Sequence, residues 1–571
     1  MLDLASIVRL IVVTLAGALI GMASSLVAAA FVWVVIWAND LLLLTSESRL
    51  APPRELVIAA TLIVPTLGGL AVGLMITRGV KGGLPLGPAD AILAVQIRQP
   101  MPDRKSGIIG TLASLTSLCT GASVGQYGPL VYLGAAIGAQ VRRLEKRLRD
   151  IRSIAIACGV AGAIAAAFNA PIAGLIFAHE VILRHYALRA FAPVALAASA
   201  GHVTAYTVFG EEPILGVELD VIFNHYEFFF FAAEGALAAF VATAYMALIL
   251  AFGRLSLRLP IPRALRTALA GLGLGLVALQ VPEVLGIGSD ALLKLSVEGA
   301  YSVAELAVLV VAKTFVTALC IGFGFAGGVF SPALLIGGFA GALYGLVLAA
   351  VLPVDLTGVI PYAICGMMAV ASPVIGAPLT TILIVFELTR NYDLTIAVMT
   401  SVAFSNLIAH RIFGRSLFHV QMGFRGHDLS QGRDRAILSV RLVSEFLSQD
   451  FATLSPDDDV QKIEALCQAT RRSEVLLVDG EGRYHGHVRL QDTFGEARDR
   501  KLHELADHSE IVFDETTSVW EAMSLLQGFV GDAVPLVNSD RRLMGIIPES
   551  AVIRGYMEST RDLRREENAG V

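Results

Sequence analysis

The sequence predicts a polytopic α-helical membrane protein, built as an internal repeat with broken helices, followed by a small soluble α/β pair. Three observations predict it. The 571 residues are 55% hydrophobic and only 16% charged, where a soluble chain has about a quarter charged. The hydrophobicity is uneven, with long apolar runs up to about residue 413 and ordinary soluble composition afterwards. Each part also repeats itself internally. The expected division is a membrane domain over 1–420, a linker over 421–440 and a soluble pair over 441–571, with units at about 441–495 and 500–560.

Composition excludes several classes. A formal net charge of -6 gives no sign of a nucleic-acid partner. The five cysteines, Cys119, Cys158, Cys320, Cys365 and Cys467, are scattered and lack CxxC spacing. They read as buried apolar residues, not as a disulfide framework or a metal site. No nucleophile-and-base set argues for an enzyme.

Taken in order, Leu10 to Ala38 is long enough to cross a bilayer at a steep tilt and too long for a signal-peptide core. Leu56 to Ile76 is a second span, with Pro65 tolerated by packing. Residues 86–104 are too polar and broken to span. Gly107 to Cys119 is apolar but short, as in discontinuous helices that line a site. The basic run from Arg142 to Arg149 reads as a cytoplasmic flank. Ile154 to Ala178 is apolar, and further runs lie at 190–209, 228–252, 265–281, 305–322, 333–353, 356–386 and 395–413.

Two glycine-rich turns stand out, one from Gly121 to Pro129 and one from Gly322 to Pro332. Each leads through a Gly-x-x-x-Pro step into an apolar helix. Proline suits the first turn of a helix, and glycine lets backbone N–H groups approach a ligand. Helix N-termini carry unpaired N–H groups and partial positive charge, so two of them aimed at one point would hold an anion. Pro129 and Pro332 are 203 residues apart, and Pro171 and Pro378 are 207 apart. A glutamate follows each of the second pair by nine residues, as Glu180 and Glu387. Broken segments matched between two halves point to a transport site at their interface. In the soluble part, Val475–Val488 and Val534–Ile547 are strand–turn–strand units offset by 59 residues. Helices are expected at Asp459–Thr470 and Val519–Leu526, and the charged tail after Met557 is expected to fray.

Lys81-Gly82-Gly83-Leu84-Pro85, Gly125-Gln126-Tyr127-Gly128-Pro129, Gly328-Val329-Phe330-Ser331-Pro332 and Ser416-Leu417-Phe418 stand in the order of the four anion-pathway motifs of the CLC family of chloride channels and transporters. Phe168-Asn-Ala-Pro171 and Pro282–Gly286 also resemble CLC segments, and the 59-residue repeat resembles a pair of CBS motifs. The resemblance implies a homodimer in the lipid bilayer, with one anion pathway per subunit and chloride as the bound ion. It further implies two inverted halves, with both termini and the CBS pair in the cytosol. A bacterial inner membrane is the expected location, from the compact architecture and the lack of long loops. By motif, Val329 and Phe330 would offer N–H groups to a central anion, and Gly125 to Gly128 to an outer one.

Four positions depart from the family. The gate glutamate aligns with Tyr127, the central-site serine with Gly82, the central-site tyrosine with Phe418, and the internal proton-transfer glutamate with Val181. A tyrosine hydroxyl stays neutral around pH 7 and is a poor proton shuttle, and valine carries no proton. The expected function is therefore passive anion conduction uncoupled from protons. The rivals are an exchanger using a Glu180 route, a CBS-regulated divalent-cation transporter and a non-conducting sensor. The duplicated spacing of Glu180 and Glu387 favours a structural role for both. His179 reads as packed, and Lys313 as paired or snorkelling. Tyr127 is expected to face the pathway. No cofactor is required. In CBS pairs an aspartate six residues past the glycine often holds a nucleotide ribose. Gly486 to Asp492 keeps that spacing, whereas Ala551 follows Gly545. Adenosine nucleotide binding at Asp492 is one reading, and a structural or dimerising pair is the favoured one.

Overall fold

The computed structural model describes residues 4–141, 151–210, 224–297, 299–429, 432–507, 511–529, 531 and 533–567. The basic run expected as a cytoplasmic flank lies outside the described residues. The chain forms two compact units, Met1–His427 and Asp428–Ala569, apart from the last two residues.

The first unit is all helical. In order it comprises α1 (Leu4–Leu41), α2 (Arg54–Gly79), α3 (Pro88–Gln96), α4 (Arg104–Cys119), α5 (Tyr127–Gly138), α6 (Ile151–Phe168) and α7 (Pro171–Phe177). A π-helical turn over Ala178–Leu183 leads to α8 (Leu188–Phe209), α9 (Glu227–Arg258), α10 (Arg263–Ala278), α11 (Ser289–Leu295), α12 (Val303–Gly322) and α13 (Phe330–Val351). The unit closes with α14 (Val359–Ile375), α15 (Pro378–Thr389), α16 (Tyr392–Phe413) and α17 (Leu417–Phe424). Among the described residues, seven helices are long and apolar enough to cross a bilayer.

Two runs that read as continuous in sequence are broken. Ile154 to Ala178 divides at Asn169, where φ is +54°, and Pro171 starts α7. The run over 356–386 divides at Gly376, φ +73°, and Pro378 starts α15. Both breaks place a residue tolerant of the left-handed region two positions before the proline. Helices elsewhere close on small residues. Gly21 on α1, Gly162 on α6 and Gly201 on α8 meet so closely that a Cβ on Gly162 would lie 2.6 Å from the Gly21 backbone.

The second unit holds two three-stranded sheets. Strands β1 (Thr453–Leu454), β2 (Glu474–Val478) and β3 (Tyr484–Arg489) form one, and β4 (Phe513–Asp514), β5 (Ala533–Val537) and β6 (Leu543–Pro548) the other. In each, the first pair is parallel and the second antiparallel. The registers match: Leu477 faces Gly486, and Leu536 faces Gly545. Helices α18 (Arg433–Val440), α19 (Val460–Thr470), α20 (Val519–Leu525) and α21 (Glu549–Glu567) complete the unit. Within the stretch expected as a linker, α18 buries Leu438 in one core with Val443, Phe513, Val534 and Ile547.

The tail after Met557 corrects an expectation. It continues α21 as far as Glu567, because Val552, Ser559 and Leu563 fall on one buried face. Arg441 pins that helix through the Gly555 carbonyl, Ser559 Oγ and Glu558.

The two hairpin turns show why the repeat folds alike. Asp479 Oδ1 accepts the N–H groups of Glu481 and Arg483, both at 2.9 Å. Asn538 Oδ1 accepts those of Asp540 and Arg542 at 3.0 and 2.9 Å. Asp479→Asn should therefore keep its turn and Asp479→Ala open it. Hydrogen exchange at 481–483 in the intact protein should match wild type in the first and run faster in the second. The His485 imidazole, with the turn N–H groups, holds the Asp479 carboxyl down to about 2. Its contribution is complete above the ordinary carboxylate range and is lost as pH falls through about 2. The same amides should stay protected in mild acid and open only near that pH.

Candidate functional site

The starts of α5 and α13 meet back to back. Gly125 N–H donates to Gly328 O at 2.7 Å and Gly328 N–H to Gly125 O at 2.6 Å. A Cβ on Gly128 would lie 2.7 Å from the Gly328 Cα, so only glycine admits this approach. The bridge corrects one expectation: the Gly125 N–H is committed to Gly328 and is not on offer to a ligand. The first N–H groups of each helix, from Gln126 to Gly128 and from Val329 to Ser331, have no intrahelical acceptor. Two buried side-chain atoms beside them, Gln126 Oε1 and Ser331 Oγ, lack a partner.

Tyr127 is buried at this junction. Its ring stacks on Phe168, with centroids 3.9 Å apart and 16° between planes, and tilts against Phe330 at 5.5 Å. Phe168 and Phe330 touch at 5.4 Å, closing a three-ring cluster. The ring thus packs among aromatic neighbours at the head of both helices. Phe168 heads the Phe168-Asn-Ala-Pro171 segment in sequence, but nothing there announces its stacking on Tyr127. On α9, Tyr245 Oη donates to Val329 O at 3.3 Å.

A second group gathers around the start of α3. Gly82 and Gly83 have φ of +79° and +62°, and a Cβ on Gly82 would meet nothing within 4 Å. Leu84 is half-buried. The Arg263 guanidinium donates to Gly83 O and lies beside Gly324, so it ties this loop to the second glycine turn. Phe418 is buried on α17. That helix is clamped to α3 by Arg425, which binds both Asp90 oxygens at 2.9 Å and Pro85 O at 2.8 Å. Both charged side chains are largely shielded, at 14% and 11% exposure. The clamp spans 335 residues, and no local pattern announces it.

Val181 is buried in the π-helical turn. The carbonyls of Ile182 and Leu183 there accept from Gln96 Nε2 at 2.7 and 2.8 Å. Beside Val181, Glu180 points its carboxylate across to the other half. It accepts Leu379 N–H and Thr380 N–H at 2.9 Å and the Thr380 hydroxyl at 2.6 Å. Glu387 returns the contact, accepting Ile172 N–H at 2.8 Å and Ala173 N–H at 2.7 Å. Each glutamate caps the helix start of the opposite half. His179 is fully buried, with Nδ1 on His185 O and its ring stacked on Tyr186. Lys313, also fully buried, donates to Val284 O and Gly286 O at 2.9 and 3.0 Å. In the second unit, Asp492 is exposed in a 3₁₀ turn directly after β3.

Glycine-opened helix starts inside a set of bilayer-length helices define a membrane transport protein for small anions. The chain matches the family model described as voltage gated chloride channel over residues 68–410, and it belongs to that family. A CBS domain is matched over residues 502–558. A ClcB-like chloride channel protein of Ralstonia nicotianae is 29% identical over 376 residues, covering 65% of this chain and 87% of that one. Chloride channel protein CLC-f of Arabidopsis thaliana is 26% identical over 547 residues, covering 89% and 64%. Among solved structures, a slow cyanobacterial Cl⁻/H⁺ antiporter superposes with a TM-score of 0.63 at 21% identity, covering 72% of this chain and 97% of its own. A eukaryotic CLC transporter gives 0.62 at 22%, covering 96% and 99%.

Breaking the Arg425–Asp90 clamp from one side leaves a shielded carboxylate with the Gly87 N–H but no counter-charge. Arg425→Ala should cost about 3 kcal/mol, while the paired change Arg425→Met with Asp90→Leu should recover most of it. Thermal unfolding of the purified protein in detergent, run as a double-mutant cycle, checks this.

Proposed function

We propose that the chain conducts chloride or a similar small anion passively, through a separate pathway in each subunit of a homodimer, without coupling to protons. The observation that carries this reading is the junction of α5 and α13. Two helix starts lie in backbone contact there, and the residue heading α5 is a tyrosine packed between Phe168 and Phe330. Backbone N–H groups and partial helix charge attract an anion without a full positive charge to hold it.

The side chains around the pathway favour release over retention. Gly82 and Phe418 bring no hydroxyl to the central anion, where each hydrogen bond would be worth roughly 1 kcal/mol. Weaker holding speeds exit and suits conduction. Tyr127 serves as the gate. Its hydroxyl donates to an anion but does not cycle a proton near neutral pH. Val181 leaves the inner end of the usual proton route without an ionisable group. The Glu180 route of the rival exchanger is disfavoured because both of its oxygens are engaged by Leu379 and Thr380.

The CBS pair is read as a structural or dimerising tail, with Asp492 the residue to watch for adenosine nucleotide. Its exposed place after β3 leaves room for a ribose contact. A bacterial inner membrane, with both termini and the CBS pair in the cytosol, is the setting this reading assumes.

Purified protein in liposomes, under a chloride gradient with and without a pH gradient, tests the proposal. The reversal potential should follow chloride alone. A shift with the pH gradient overturns the uncoupled reading, and absence of current with every anion tried moves the sensor reading forward. Tyr127→Phe should keep conduction and weaken apparent anion affinity about fivefold, the equivalent of one hydrogen bond of about 1 kcal/mol.

A further inference from the structure

Glu234 lies in the middle of α9 with 2% of its surface exposed, and neither carboxylate oxygen has a hydrogen-bond partner. It sits in a seam between helices. A Cβ on Gly341 of α13 would lie 2.7 Å from its Oε1, and one on Gly366 of α14 2.9 Å away. Glycine at both positions leaves space for a carboxyl and supplies no side-chain donor, so the α14 group that bears on it is the Gly366 backbone. Ionisable groups inside a membrane domain are costly to keep, and their presence asks for a function.

We infer that Glu234 is a proton-binding site, reached from the start of α9 through Glu227 and Tyr362, whose occupancy sets the packing of α9 on α13 and thereby the position of Val329. The approach opens on a cluster of oxygen groups at the start of α9. Glu227, two turns earlier, accepts the Thr357 hydroxyl at 2.6 Å and the Tyr362 hydroxyl at 2.9 Å. Two turns bring the chain about 10 Å further along the helix to Glu234. Onward, Phe231, Glu234, Ala238, Ala242 and Tyr245 are all buried along α9. Tyr245 ends the series with its hydroxyl on the Val329 carbonyl. One helix therefore joins the carboxyl to the start of α13.

The groups facing Glu234 are few. Tyr344 on α13, and Tyr362 and Cys365 on α14, are within its electrostatic reach. The Tyr344 hydroxyl is engaged by Phe230 O. From α12, the Glu305 carboxylate accepts the N–H and hydroxyl of Ser302, and Lys313 is bound to two carbonyls. From α16, Ser401 packs on Gly235 and binds Phe231 O, while Asp393, His410 and Arg411 sit in the end turns. The two protonation states make different demands on this seam. The acid needs one acceptor, whereas the carboxylate needs several donors; the Gly366 backbone bears on it, and no side chain is hydrogen-bonded to it. A proton from the aqueous side forms the O–H bond, and its departure to that side breaks it; no other reactant is involved.

Infrared difference spectroscopy on purified wild-type protein and Glu234→Gln, titrated over pH, reads the proton directly. A buried-carboxyl band should titrate in wild type and be missing in the variant. Glu234→Asp, if glutamine fails to assemble, should keep a shifted band. Identical spectra in all variants overturn the site. The second arm, which rests on the conduction reading, is chloride current against pH. Wild type should vary with pH, and Glu234→Gln should lose that dependence with the reversal potential unchanged. A retained pH profile overturns the link to Val329. If no current is seen in any variant, conduction fails and the infrared arm still decides the proton site.

Discussion

The membrane unit depends on one contact: two backbones touching at Gly125 and Gly328. Their paired hydrogen bonds, 2.6 and 2.7 Å long, hold the starts of α5 and α13 against each other. Any side chain at Gly128 or Gly328 would collide with the opposite main chain. Everything attributed to the site follows from that approach. It collects two sets of unpaired N–H groups and sets Tyr127 among Phe168 and Phe330. It also buries Gln126 Oε1 and Ser331 Oγ without protein partners. An unmatched polar atom costs free energy unless something binds it, and the junction concentrates two of them beside the unpaired N–H groups.

Around this contact the structure commits its charges to fixed tasks. Arg425 with Asp90, Glu180 and Glu387 at helix starts, and Lys313 on two carbonyls all hold elements in place. Arg263 ties the Gly82–Gly83 loop to the turn at Gly324. Ionisable groups in an apolar unit are tolerated when each is satisfied. Glu234 differs from these because its oxygens are not.

The sequence disclosed what leaves a local imprint. Glycine–proline steps mark where backbones must meet, and their repetition at 203 and 207 residues marked two related halves. The strand–turn–strand units were visible for the same reason, since Asp479 and Asn538 sit at matching turn positions. Contacts made by distant partners were not visible. Nothing near Arg425 announces Asp90, and nothing near Phe168 announces Tyr127. The break at Asn169 was signalled by Pro171 two residues on, although the run around it reads as one apolar stretch. The tail was misjudged on charge, although Val552 and Leu563 already mark a buried helical face. Glu234 did leave a signal, an acid inside the apolar run over 228–252, but its isolation is a three-dimensional fact.

The exchange between Glu180 and Glu387 reaches beyond stability. Each half of the chain makes a carboxylate for which it has no use itself and lacks the one its own helix start requires. Neither half is complete when separated from the other. A half-length chain could meet both needs by pairing two-fold with a second copy of itself, each lending the other its acid. The reciprocal caps thus make the two halves of this chain behave toward each other as the subunits of a symmetric dimer would.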